Sequence, residues 1–283
     1  MNDDRRNPER PEWAIDPGEA ARRCGEFIRE VLSEAGKSRL VIGLSGGIDS
    51  AVSAGLAVRA IGAENVHGLL LPYATSAASS AADAAAVAAN LGIETETIPI
   101  TPMADAFLAD IPADGKVRRG NVMARCRMIV LYDRSAALDA LVLGTGNRTE
   151  ALLGYTTLYG DNACALNPLG QLYKTEIRLL AAWLGLPQVV LDKAPSADLW
   201  EGQADEDELG FTYAEADDLL HQMIDRGRLP HELEAMGFDG ELVRRVAERV
   251  QAMRFKRLLP PVAVMPDRLD PDRKADFTDG GFH

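Results

Sequence analysis

The stretch Arg39-Leu40-Val41-Ile42-Gly43-Leu44-Ser45-Gly46-Gly47-Ile48-Asp49-Ser50 decides how the rest of the chain is read. Leu40 to Leu44 is an apolar run of strand length, Ser45-Gly46-Gly47 is a turn with two unrestricted residues, and Ala51 to Ala60 has the small, alanine-rich composition of a packed helix. A strand, a glycine turn and a helix start in that order make an anion site. Unpaired N–H groups of the turn and of the first helical turn converge there, and the helix dipole adds partial positive charge. No Lys follows the glycines, which excludes the mononucleotide loop of G-x-x-x-x-G-K-[ST] type; the hydroxyls of Ser45 and Ser50 bracket them instead. The loop suits pyrophosphate. A carboxylate beside phosphates is repulsive unless a cation lies between, so Asp49 reads as a magnesium ligand.

Working outward, Pro17 to about Gly36 is an amphipathic helix with Ala20, Ala21, Cys24, Phe27, Ile28, Val31 and Leu32 at helical spacing. Val66 to Leu71 and Glu94 to Ile98 are further strands, with a helix from Ala81 to Leu91 between them and Gly92 as its stop. Asp110 to Gly120 reads as a loop, Asn121 to Ala140 as a long helix, and Ala140 to Leu143 as a fourth strand. Strands alternating with helices over short connections predict an α/β fold: a doubly wound, mostly parallel sheet with helices on both faces. Helical patterns at 214–225, 231–236 and 241–253 add a C-terminal helical appendage. The expected organisation is a flexible tail over 1–16, one domain over 17–260 and a second tail over 261–283.

Ligands of such sheets bind beyond the carboxyl ends of the strands. That rule brings Gly144-Thr145-Gly146-Asn147-Arg148-Thr149-Glu150, which leaves the fourth strand, toward the glycine turn. Thr145 and Glu150 then come within reach of a nucleotide, and Glu150 becomes a second magnesium carboxylate beside Asp49. Lys174 opens a helix, where a cation opposes the dipole, so an anionic ligand is expected beside it. Arg125 and Arg127 are two residues apart on one helix and point different ways, so at most one reaches a site. The segment 195–208, acidic and with Trp200 and Gly202, reads as a loop able to close over substrate.

The chain has 283 residues, is 47% hydrophobic and carries a formal net charge of −13. That charge excludes a general nucleic-acid surface and requires any anionic ligand to be held by a local cluster of Arg and Lys. No apolar run reaches the roughly 18 residues of a membrane span, and the polar N-terminus lacks a signal-peptide core. A cytoplasmic protein that binds no membrane is expected. Cys24, Cys126 and Cys164 are scattered and odd in number, which suggests neither a disulfide framework nor a metal site.

Ser45-Gly46-Gly47-Ile48-Asp49-Ser50 resembles the pyrophosphate loop of the N-type ATP pyrophosphatases, whose domain is of the adenine nucleotide alpha-hydrolase type. Further strings, in order, resemble one family in that group, the ammonia-dependent NAD synthetases: Arg125 with Arg127-Met128, Leu143-Gly144-Thr145-Gly146-Asn147 with Glu150, Gly154-Tyr155 and Tyr159-Gly160-Asp161. The series continues with Leu172-Tyr173-Lys174-Thr175, 193–200 and 203–210. The resemblance implies that the carboxylate of deamido-NAD attacks the α-phosphorus of ATP and that ammonia then displaces AMP from the acyl-adenylate. It assigns Gly43, Leu44, Ser45, Gly46, Gly47, Ile48, Asp49, Ser50, Thr145, Lys174 and Ser196 to ATP, with Asp49, Glu150 and Lys174 catalytic. Asp49 and Glu150 take magnesium (Mg2+), and Arg125 and Lys256 take deamido-NAD, with Asp161, Asn162 or Arg148 as a different grip on the dinucleotide where the chain departs from the family pattern. It also implies a homodimer using free ammonia or a separate glutaminase. Leu158, Ala165 and Phe255 stand where the family pattern has Lys, Asp and His. Two rival readings are a ligase for a related carboxylate and a nucleotide-binding regulator without catalysis.

Overall fold

In the computed structural model, which describes residues 10–112, 114–195 and 205–263, strand β1 (Leu40–Gly43) is the centre of a four-stranded parallel sheet. Its neighbours are β2 (Val66–Leu70) and β4 (Leu141–Val142), with β3 (Glu94–Thr97) at the edge, giving the order β3-β2-β1-β4. Leu40 is in register with Val66 on one side and Leu141 on the other. The chain steps outward from β1 to β3 and then returns past β1 to β4, so the order reverses between β1 and β4. Such a reversal opens a crevice at the carboxyl ends of those two strands.

Side chains alternate across β1 as a strand requires. Leu40 and Ile42 enter the apolar cluster formed with helices α1 (Pro17–Glu34), α2 (Ile48–Ile61) and α3 (Ala78–Leu91). Val41 enters the cluster on the opposite face, with α4 (Thr101–Leu108) and α5 (Lys116–Ala137). Each of these β1 side chains is fully buried, which stabilises the fold by roughly 1.5 to 3 kcal/mol per residue. Burial is nearly all round in α2, whose Ala51, Ser53, Ala54, Gly55 and Ala57 let neighbouring elements approach closely. Helices cover both faces, as predicted. Among the described residues, no helix is long and apolar enough to cross a membrane.

After β4 come α6 (Arg148–Leu153), α7 (Lys174–Trp183) and α8 (Gln188–Asp192), then α9 (Asp205–Leu209), α10 (Tyr213–Leu220), α11 (Pro230–Ala235) and α12 (Gly240–Ala252). The last helices form the expected appendage. Their apolar cluster, with Tyr213, Leu219, Leu220, Leu233, Val243 and Val246, is shared with Leu153 of α6 and with Tyr173, so the appendage is packed against the site side of the sheet.

Three local readings change. Helix α5 begins at Lys116, inside the stretch read as a loop, because Gly115 ends the turn that starts at Pro112. Helix α4 forms in a stretch to which the sequence assigns no element: Pro102 lies in its first turn and Ala104 and Leu108 are buried. Residues 205–208, read as part of a loop, form α9, where acidic side chains suit the positive end of the helix dipole. Within the stretch assigned to the N-terminal tail, Trp13 stacks on His221 with ring centroids 4.9 Å apart, and the Ile15 N–H donates to Glu176.

Candidate active site

The glycine turn emerges from β1 at the strand-order reversal. Gly46 has φ +76°, and a Cβ there would lie 2.3 Å from the carbonyl oxygen of Ser80, at the start of α3. Only glycine lets the turn pass beneath that helix. The bracketing hydroxyls tie the loop: Ser45 N–H donates to Ser50 Oγ (3.3 Å), Gly47 N–H donates to Ser45 Oγ (3.2 Å), and Ser50 Oγ donates to the Gly47 carbonyl (3.0 Å). No side chain caps the start of α2, so its first N–H groups are left for an external acceptor.

Three charged side chains from three elements meet beside this turn. Lys174 Nζ donates to Asp49 Oδ2 at 2.5 Å and to Glu150 Oε1 at 3.0 Å. The Asn147 side chain caps α6 by accepting the Glu150 N–H at 2.9 Å, and its Nδ2 donates to Asp49 Oδ1 at 2.8 Å. One asparagine therefore locks α6 to α2. Burial would drive the Lys174 ammonium toward its neutral form, but Asp49 and Glu150 outweigh it and hold Lys174 protonated. Burial, with the neighbouring Asp49 charge, raises the Glu150 carboxyl above its usual range against the pull of Lys174. The ammonium also lies 5.1 Å from the ring centre of Tyr213.

Behind these groups, Asp217 of α10 is fully buried. It accepts from the Thr149 hydroxyl and from both the N–H and the hydroxyl of Thr175, the latter two at 2.7 Å. Burial pushes its carboxyl up to about 6 against these donors.

The cleft in front has a volume of about 830 Å³ and runs from the glycine turn to the segment 154–161 and Lys256. Lys256 Nζ donates to the carbonyls of Gly154 (2.8 Å) and Thr156 (2.7 Å). Asp161 Oδ1 accepts the Thr157 N–H at 2.6 Å. Among the described lining residues, Arg127, Lys174, Lys193, Arg249 and Lys256 offset five carboxylates, so the cleft is locally balanced in a chain of net charge −13. It can accept a polyanion at one end and an elongated polar substrate along its length.

A family model described as NAD synthase matches residues 20–260. The chain belongs to the NAD synthase family. It is 50% identical over 242 residues to the NH(3)-dependent NAD(+) synthetase of Trichlorobacter lovleyi, covering 86% of this chain and 89% of that protein. Among solved structures it is similar to the NMN synthetase of Francisella tularensis, at 35% identity and TM-score 0.77, covering 90% of this chain and 100% of that one. It is also similar to the NH3-dependent NAD synthetase of Campylobacter jejuni, in complex with nitrate, at 35% identity and TM-score 0.76, covering 89% and 100%.

In this NAD synthase-family chain the structure brings Gly43, Leu44, Ser45, Gly47, Ile48, Asp49, Ser50, Thr145, Glu150 and Lys174 to the cleft, with Asp161 and Lys256 at its far end. Gly46 supplies the turn beneath α3. Ser196 lies outside the described residues, as do Trp200 and Gly202. Of the two arginines, Arg127 lines the cleft, whereas the exposed Arg125 donates to the Leu158 carbonyl at 3.0 Å. Beside Lys174, where the sequence suggests an anionic ligand, the structure places the carboxylates of Asp49 and Glu150. Leu158, Ala165 and Phe255 are not among the described residues lining the cleft. Sequence reading gave no role to Asn147, Asp217 or Tyr213. The first was detectable in the Asn147-x-x-Glu150 capping pattern; the other two act through contacts distant in sequence.

Proposed function

We propose that this chain converts deamido-NAD to NAD with ammonia, forming an acyl-adenylate from ATP and releasing AMP and pyrophosphate. The observation that carries the reading is the Lys174 ammonium bridging Asp49 and Glu150 at the mouth of the glycine turn, supported by 50% identity to a synthetase named for that product. The turn and the start of α2 bind the ATP phosphates through their N–H groups. Lys174, held protonated, faces the charge that grows on the phosphoryl oxygens as the nicotinate carboxylate bonds to the α-phosphorus and the bond to pyrophosphate breaks. Ammonia then attacks the acyl carbon, and AMP leaves. No protein nucleophile is required.

The donor set also fits magnesium. An ion that keeps several waters and uses one or two carboxylates together with phosphate oxygens needs no protein cage, and among the described residues no cluster of three or more His, Cys, Asp or Glu forms one. The Lys174 ammonium between the two carboxylates marks where positive charge is favoured. Asp49 and Glu150 would hold the ion, whose charge, when it is bound, offsets that of the polyphosphate. Lys256, Asp161 and Arg127 form the dinucleotide end in this reading, with Arg125 on the adjoining surface.

Exposed apolar side chains on α4 and α5, Phe107, Ile129 and Tyr132, support a homodimer formed through these helices. Free ammonia or a separate glutaminase supplies nitrogen, and the reading places the enzyme in the cytoplasm. A related carboxylate as substrate is the second reading, favoured by the likeness to an NMN synthetase. The deciding assay measures AMP, pyrophosphate and amide product from ATP and magnesium. Deamido-NAD or the corresponding mononucleotide is supplied with ammonium, or with glutamine. NAD and AMP in equal amounts with ammonium are expected. Turnover of the mononucleotide alone overturns the substrate, and ATP binding without pyrophosphate release overturns the reaction.

A further inference from the structure

Asp217 touches neither the cleft nor the groups that meet substrate, yet both ends of the reacting cluster are anchored to it. Helix α7 begins with Lys174 and has no capping side chain of its own at Tyr173. Its first N–H groups are satisfied from elsewhere: that of Lys174 donates to Thr149 Oγ1 at 3.0 Å, and that of Thr175 to Asp217 Oδ2 at 2.7 Å. The Thr149 hydroxyl in turn donates to Asp217 Oδ1. Thr149 lies in the first turn of α6, next to Glu150, and is fully buried, as is Asp217. One carboxylate borrowed from α10 therefore caps α7 directly and reaches the start of α6 through a hydroxyl.

We infer that Asp217 is a positioning residue for the adenylation chemistry: it clamps the starts of α6 and α7 together and so sets where Glu150 and Lys174 stand relative to each other. The cluster then has two bridges, Asn147 between α6 and α2, and Asp217 with Thr149 between α6 and α7. A carboxylate is suited to the second because the positive end of α7 and three donors converge on it, which offsets part of the cost of burying its charge.

The inference rests on the reading that Lys174 and Glu150 serve the reaction, and the test separates the two. Thr149→Val keeps the shape of threonine and removes the bridge, whereas Thr149→Ser keeps the bridge and removes the methyl. AMP formation is followed for both, for Asp217→Asn and for Lys174→Met, with each rate normalised to folded protein by circular dichroism. Thr149→Val and Asp217→Asn are expected to lower kcat by about 10- to 100-fold with KM for ATP changed by less than about 3-fold, because small displacements of positioned groups act on the rate. Thr149→Ser is expected to stay within about 3-fold of the parent, since its hydroxyl preserves the positioning. A lowered melting temperature with unchanged kcat in Thr149→Val, or a Ser variant as slow as Val, overturns the clamp. If Asp217→Asn does not fold, the Thr149 pair decides. Full activity in Lys174→Met instead overturns the role of Lys174 itself.

Discussion

The ammonium of Lys174 lies 2.5 Å from Asp49 Oδ2, although 125 residues separate the two in sequence. The same ammonium serves Glu150, so two half-buried carboxylates share one cation. Lys174→Met removes it and leaves them facing each other. The expected cost is about 1 to 3 kcal/mol, the penalty of removing one partner of buried charged groups that keep only their bonds to Asn147. Magnesium should recover more stability in this variant than in the parent, because it can take up the freed carboxylates. Thermal unfolding with and without magnesium checks this; no shift in either protein would remove the pair from consideration as a metal site.

Asp49→Asn keeps the size of the side chain and removes its charge. Binding of ATP also draws on the N–H groups of the turn, so the dissociation constant should rise by less than about 10-fold. Pyrophosphate release should fall by about 100- to 1,000-fold, the range seen when one electrostatic stabiliser of a transition state is deleted. Isothermal titration with ATP beside a pyrophosphate assay separates the two effects. Equal small losses in both would show that Asp49 does not act in the chemical step.

Gly46→Ala addresses the turn itself. The new methyl would lie 2.3 Å from the Ser80 carbonyl oxygen, and the backbone at φ +76° disfavours alanine. Either the turn or the start of α3 must shift. The left-handed conformation alone costs roughly 1 to 2 kcal/mol, and ATP affinity should fall by more than about 10-fold because converging N–H groups lose their aim. Chemical denaturation and ATP titration measure both. Unchanged affinity would mean that the turn is not a phosphate cradle.

Asp49 and Gly46 are legible in the sequence for one reason. A strand, a glycine turn and a helix start are adjacent in the chain, and the strand-end rule then draws in Thr145 and Glu150. Lys174 stood out because its local position is unfavourable. Asn147 left a short-range trace as a cap, but its second bond, to Asp49, is a tertiary contact. Asp217 left none: it looks like an ordinary polar residue of an amphipathic helix, and only the packing of α10 against α6 and α7 makes it an acceptor for both. In the same way Asp205 reads as acidic loop composition until Tyr155 and Tyr213 are found to donate their hydroxyls to it, both at 3.1 Å. Arg125 and Arg127 could not be separated by spacing alone, since which helix face meets the cleft is set by the elements around it.

Asp225 provides a pH test away from the reacting groups. It follows α10 in a π-helical turn and accepts from the Tyr173 hydroxyl at 2.9 Å and from the Arg148 guanidinium, which also lies 5.3 Å from the ring centre of Tyr173. Burial would raise its carboxyl, but Tyr173 and Arg148 outweigh burial and hold it below the usual carboxylate range. A carboxyl lowered in the folded state binds its proton more readily when unfolded. Its contribution to stability is therefore complete above the unfolded value of about 3.9 and is lost as pH falls through the lower folded value. Asp225→Asn should be less stable than the parent at pH 7, and the difference should shrink below pH about 4. Because Arg148 adjoins Asn147 and Tyr173 adjoins Lys174, the variant should also lower kcat at neutral pH. Urea unfolding of both proteins from pH 7 down to pH 3, run beside the AMP assay, measures the two consequences. A stability difference independent of pH would show that Asp225 contributes through packing rather than through its charge.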